Sequence, residues 1–438
     1  MNLPPSCCNF GFLQCYPIQL KLKPETNSIS RIDLLLIGGL LSVSFLGAST
    51  QLFDETLTSR YLGALIVTII GFGLTTARTL YYLHHKVNRL DMLLFAFCVW
   101  QVLSVTWAIN TAQAFGASFR SVAMFLSYFL LRVVLTSDGK WKTLLPILVS
   151  FASSVYLVLV WVNLLQISMD FGLNANSVYM LRYPSETKNL ISLILLVSIP
   201  FHLHATIKYQ DWKRWFGITN MLIMLGTLFV LSTRGISLAI IGIGASLLLP
   251  QIIWSKHRFR FGIPVAVGLV LLGTGHWFSS NLMKKTNTEA SRTETNKPIE
   301  ETDKSDSGQH YRSANERLAL WGKTLGVIKK NPILGVGAGN WQIAYPLNGL
   351  DGLERAEYRV TSFKRPHNLI LSITSELGLV GLILFSVLIL QLFLNVYHGG
   401  KEQIVVGCAM VGFLVAAMFD FPLERMEHNR LFATMLAL

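Results

Sequence analysis

Charge is scarce in this sequence. Only 14% of its 438 residues are Asp, Glu, Lys or Arg, 52% are hydrophobic and the mean hydropathy is +0.48. An ordinary soluble domain, about a quarter charged, is excluded. Cysteine is scarcer still: Cys7, Cys8 and Cys15 fall in the N-terminal tail, Cys98 and Cys408 in apolar runs. No disulfide framework is therefore available to the polar connections. The first 31 residues lack a secretory signal pattern, because Pro4, Pro5 and Pro17 break the apolar stretches and no small-residue cleavage site follows. Run 32–49 is expected to serve as an uncleaved anchor. Nucleotide motifs are missing too. Gly322-Lys323-Thr324 ends like a phosphate-binding loop, but Arg317 stands where its first glycine belongs, and Gly335-Val-Gly-Ala-Gly339 follows a helix pattern instead of a strand. There is no basic run with interleaved aromatics to bind nucleic acid. His276, His310 and His428 share no metal-ligand spacing, so neither metal nor cofactor is expected.

What the chain has is apolar runs, near 32–49, 61–77, 91–107, 114–135, 142–166, 189–205, 216–232, 235–250, 262–278, 368–396, 402–420 and 428–438. Spanning a hydrocarbon core takes about 20 apolar residues as helix. An all-α polytopic membrane protein with about 12 transmembrane helices is expected: a tail at 1–31, nine spans over 32–278, a long loop over 279–367 and three spans over 368–438. Lys and Arg set its orientation. Alternate connections carry Arg78, Lys86 and Arg89, then Lys208, Lys213 and Arg214, then Lys256, Arg258 and Arg260. The short intervening connections and nearby helix ends hold fewer: Arg60, Arg120, Arg182, Lys188, Arg234, Arg425 and Arg430. This bias puts both termini in the cytoplasm and the long loop outside. Much of the +13 net charge is then topology.

The long loop is where chemistry is expected, since a plain connector between membrane helices is short. Residues 284–312 are polar, charged with both signs and nearly free of large apolar side chains, which predicts disorder. Ser313-Ala-Asn-Glu316 reads as a capping box opening an amphipathic helix over 313–331, with Leu318, Leu320, Trp321, Leu325 and Ile328 largely on one side. A Gly-rich return follows, and Arg365-Pro366-His367-Asn368 leads into the next span.

Ionisable residues at membrane helices mark sites by default. Arg234 sits in the very tight connection Ser232-Thr233-Arg234-Gly235, and Arg317 falls in the expected first helical turn, where a cation does not serve the helix dipole. Arg182, Lys188 and Arg365 lie at the same end of the bundle. Converging guanidinium groups suit a diphosphate, although Arg182, Lys188 and Arg425 are equally readable as headgroup contacts. His367, at a helix start that disfavours imidazolium, is placed to accept a proton from an attacking hydroxyl; alone, it also reads as a cap. Glu376 lies about 180° round the helix from His367, which suits pairing elsewhere better than orienting the ring. Asp420 to His428 forms a charged lip, either site wall or solvated loop.

Together Ser232-Thr-Arg234-Gly235, Glu316-Arg317-Leu-Ala-Leu-Trp321, Asn331-Pro-Ile-Leu-Gly-Val-Gly337-Ala-Gly-Asn340 and Pro366-His367-Asn368-Leu with Glu376-Leu-Gly-Leu-Val-Gly381 resemble the O-antigen ligase and O-antigen polymerase superfamily of bacterial membrane glycosyltransferases. Lys188-Asn189-Leu190 and the Asp420–His428 segment look like the form in Bacteroidota members. The resemblance implies inverting, metal-independent transfer of a glycan from an undecaprenyl-diphosphate-linked donor to a glycan or lipid A core acceptor. The site would lie on the periplasmic face of the bacterial inner membrane, within the lipid bilayer's reach. By position Arg234 and Arg317 would bind the diphosphate, helped by Arg182, Lys188 and Arg365. His367 would act as base, with Asn368 and Glu376 in support. A polymerase or protein O-oligosaccharyltransferase of the same superfamily is the alternative. A polyanion or lipid transporter, also polytopic, is more distant because no internal repeat is found.

Overall fold

The computed structural model describes residues 30–46, 57–137, 139–172, 178, 180–181, 187–231, 233–253, 307–351, 353, 363–399 and 401–438. Among these the chain is helical, with no strand. In order come α1 (Arg31–Leu46), α2 (Leu57–Leu74), α3 (Thr76–His85), α4 (Arg89–Leu103), α5 (Thr111–Ser137), α6 (Trp141–Phe171), α7 (Lys188–Lys208), α8 (Trp212–Leu231) and α9 (Arg234–Ile253). After a gap follow α10 (Ser307–Lys330), the short α11 (Trp341–Ala344), α12 (Leu369–His398), α13 (Lys401–Ala417) and α14 (Met426–Ala437).

Six helices are long and apolar enough to cross a membrane: Arg89–Trp107, Thr111–Ser137, Thr143–Asp170, Lys188–Lys208, Trp212–Leu231 and Leu369–His398. Counting the α2–α3 pair as one broken span makes seven. The expected twelve is thus not reached among the described residues. α1, α13 and α14 are 16, 17 and 12 residues long, and run 262–278 lies outside the described residues. α2 and α3 meet at 84°, where Thr75 and Thr76 bend their hydroxyls back to the Gly71 and Phe72 carbonyls at 2.7 and 2.9 Å. Such back-bonding eases a helix break in an apolar setting.

α7 is the bundle's axis. Nearly all of its residues from Leu190 to Ala205 are buried, against α6, α8 and α13. A helix apolar all round belongs inside. α14 is equally enclosed despite carrying Glu427, His428, Asn429 and Arg430.

The long loop builds a small core of its own. α10 buries Leu320 and Val327 against Trp341 and Tyr345, whose rings stack at 4.3 Å. Trp341 Nε1 donates to Thr324 Oγ1 at 2.9 Å. The expected helix start is corrected here. α10 starts at Ser307, so Ser313 is interior and Arg317 sits in the third turn; the dipole argument for Arg317 fails. No proline separates 307 from 313, and extending a formed helix costs far less than nucleating one. Leu318 and Leu325 are exposed, on a side of α10 other than the one that packs on Trp341. Of the segment expected to be disordered, 284–306 lies outside the described residues.

The Gly-rich return docks on a break in α12. Gly378 has φ +67°, so the helical ladder is interrupted and its groups need other partners. The Val336 and Gly337 amides donate to the Ser375 and Glu376 carbonyls at 3.0 and 2.9 Å, and Trp100 Nε1 donates to the Leu377 carbonyl at 2.9 Å. In exchange the Leu379 and Val380 amides donate to the Pro332 and Ile333 carbonyls at 2.9 and 3.5 Å. A Cβ at Gly378 would collide with the Ile333 carbonyl.

Candidate active site

His367 is the one described non-glycine residue with positive φ, +54°. It precedes α12, whose cap is Asn368: the Asn368 side chain accepts from the Leu371 amide at 3.0 Å. Trp321 of α10 donates to the Pro366 carbonyl at 2.9 Å, tying this turn to the loop helix. A left-handed residue between proline and a capped helix start is a strained conformation held by its surroundings.

The imidazole lies edge-on to Phe421 at 5.1 Å, and its Nδ1 is 3.7 Å from Asp420 Oδ1. That distance is just beyond a hydrogen bond. Nδ1 is buried and makes no hydrogen bond, while the side chain as a whole keeps 28% of its surface open. The accessible part of the ring is therefore the part away from Asp420. Burial pushes the Asp420 carboxyl up, but the neighbouring His367, the Phe421 amide and the charge of Arg317 outweigh it and hold the carboxyl below its usual range. Arg317, His367 and Asp420 thus share one electrostatic neighbourhood.

Arg365 is differently situated. It is 8% exposed, pairs with Glu376 at 3.6 Å and is bound by Glu424 as well. Burial lowers its affinity for the proton, Arg120 and Arg425 add to this, and Glu376 opposes it. Glu376 also accepts from the Gly339 and Trp341 amides at 2.9 and 3.4 Å. Glu376 and Arg365 therefore lock the Gly-rich return to the turn that carries His367.

The segment 418–430 gathers the remaining elements. Arg234 opens α9, where the next residue, Gly235, approaches Phe419. Lys188 opens α7, whose Leu190 carbonyl lies 3.0 Å from His428 Nε2. Arg60 of α2 donates to Glu427 at 3.0 Å, and Asn429 donates to the Tyr61 hydroxyl. Arg182 lies outside the described residues, as does the Arg234 side chain. The charged lip is thus mostly buried wall: Asp420, Glu427, His428, Asn429 and Arg430 are all 7% exposed or less.

Beneath the turn lies a cavity of about 100 Å³, bounded by α4, α5, α12 and the 421–424 segment and lined by Arg120, Arg365, Glu376 and Glu424 among others. Sequence pattern gives Arg120 no role beyond topology and leaves Asp420 and Glu424 undecided within the charged lip. Their partners lie far away along the chain, so no local pattern pairs them; the available signal was an Arg nine residues into an apolar helix.

These features describe a multi-pass helical membrane protein with a partly enclosed, charge-lined pocket under the turn that carries His367. Residues 219–386 match the model of the O-antigen ligase family, so the resemblance to the O-antigen ligase superfamily stands over that segment, and the family is one of membrane glycosyltransferase-type enzymes. No curated protein matches the chain. Asp420, Glu424 and Arg120 all fall outside the matched residues.

Proposed function

We propose that this protein is an O-antigen ligase-type glycosyltransferase of the bacterial inner membrane. It would move a glycan from undecaprenyl diphosphate to an acceptor hydroxyl, a lipid A core sugar, on the periplasmic face, with both termini cytoplasmic. The observation that carries this reading is His367 beside Asp420 with the charge of Arg317 on the same carboxylate.

His367 accepts the proton of the acceptor hydroxyl on the ring edge away from Asp420, and Asp420 stabilises the imidazolium as it forms. The acceptor oxygen bonds to the anomeric carbon from the face opposite the carrier, the bond from that carbon to the phosphate oxygen breaks with inversion, and undecaprenyl diphosphate leaves. Arg317 and Arg234 hold the departing negative charge, an electrostatic role that needs no metal. Arg365 and Glu376, paired with each other and tied to the return, position the turn; Lys188 and Arg182 are assigned to the diphosphate as further cations, and Asn368 fixes the helix start.

Purified protein supplied with a polyprenyl-diphosphate glycan and a lipid A core acceptor should transfer the glycan in the presence of a chelator. Inhibition by chelator alone would overturn the metal-free mechanism. A deletion strain should lose polymer on lipid A core while carrier-linked chains keep their length; shortened carrier-linked chains would make the protein a polymerase.

A further inference from the structure

The cavity beneath His367 has four charged side chains on its wall, and three are engaged within the protein. Glu376 serves two backbone amides and Arg365, and Glu424 serves Arg365 as well. Arg365 is thus bracketed by two carboxylates. Arg120 is the exception: among the described residues no hydrogen bond or ion pair holds its guanidinium. It is only part-exposed, and its charge reaches Arg365 of the turn and Tyr61 of α2. Arg425 acts on the same two groups. The two carboxylates of the wall are both taken up by Arg365, and neither forms an ion pair with Arg120.

A guanidinium carried by a membrane helix and facing a cavity is expensive to keep, and such a residue is retained where something in the cavity supplies the missing charge. Its planar fork of donors matches phosphate oxygens. The rest of the wall mixes apolar side chains, Phe97, Met124, Ile373 and Leu377, with polar ones such as Gln101 and Ser121, which suits a phosphate carried on a lipid. We infer that Arg120 is a phosphate-binding residue, taking phosphate oxygens of a lipid substrate that enters this cavity. The inference rests on the function proposed above, in which that phosphate belongs to the polyprenyl-diphosphate donor.

The test is binding, read separately from transfer. Protein in nanodiscs is titrated with a fluorescent polyprenyl diphosphate, for wild type and Arg120→Gln, with competition by phosphatidylglycerol. Arg120→Gln should weaken binding at least tenfold at an unchanged melting temperature, and Arg120→Lys should restore part of it. Equal affinity of wild type and Arg120→Gln overturns the role of Arg120. A wild type that binds no polyprenyl diphosphate overturns the proposed function itself, and competition by phosphatidylglycerol as strong as by the diphosphate reassigns the cavity to a headgroup and overturns the donor assignment. Should Arg120→Gln fail to fold, phenylglyoxal labelling of the wild type decides: the diphosphate should protect Arg120 from modification, and equal labelling with and without it sinks the inference.

Discussion

Two polar clusters sit at opposite ends of this bundle, built from the same residue types and finished differently. α4 ends beside the Gly-rich return, where the Ile109 amide donates to the Val336 carbonyl at 3.3 Å, so its start marks the far end. There Asp91 accepts from the Tyr82 and Tyr128 hydroxyls at 2.7 and 2.5 Å and from the Asn88 amide at 2.8 Å. Arg132 donates to the Tyr82 hydroxyl and the Ala437 carbonyl, both at 3.1 Å. That network is closed. At the His367 end Nδ1 has no hydrogen bond, and Arg120 lacks a partner among the described residues. Both clusters carry buried charge, so burial and charge alone do not separate a brace from a site. What separates them is whether the hydrogen bonds are complete without a ligand.

The contrast can be broken most directly at His367. His367→Ala should lower transfer by about 10²–10⁴-fold, the usual share of a general base, with the thermal melt unmoved. A stable, fully active variant would remove His367 from the chemistry. Asp91→Ala should do the reverse, costing about 3–5 kcal/mol by stranding buried partners, visible as a lower melting temperature or lost expression; unaltered stability would mean the closed network is no brace. Gly378→Ala tests the joint between the regions. Its positive φ alone costs about 1–3 kcal/mol, before the collision with the Ile333 carbonyl, so destabilisation and weakened transfer should appear together.

The smallest expected effect is at Asp420. Asp420→Asn should reduce transfer about tenfold, near 1.4 kcal/mol, measured as kcat at saturating donor. Its folded-state carboxyl is held below the unfolded value, so its contribution to stability is present above the unfolded value of about 3.9 and is lost as pH falls through the folded one. In Asp420→Asn the stability profile should flatten in that acid window, and an unchanged profile would refute the assignment.

Much of this was legible from local pattern. The six helices long enough to cross a bilayer coincide with apolar runs, because spanning length and apolarity are written residue by residue. His367 and Asn368 stood out beside Pro366 at a helix start. The start of α10 was misplaced because a capping box can also occur inside a helix, and the break at Gly378 was hidden because Glu376-Leu-Gly-Leu reads as ordinary span. Asp420 beside His367, and Arg120 beneath Arg365, are long-range encounters that no periodicity encodes. Arg120 left only a lone charge on an apolar helix as its trace, and Asp420 a place in the charged lip.

The break in α12 also bears on how the protein is made. A span with three carbonyls freed at mid-course is poorly suited to lipid on its own, each unsatisfied group costing several kcal/mol. The return that satisfies two of them precedes α12 in the chain, so it is already synthesised when α12 enters the bilayer. α12 is therefore fully hydrogen-bonded only with the return docked on it, so damage to the return should lower the amount of folded protein as well as transfer.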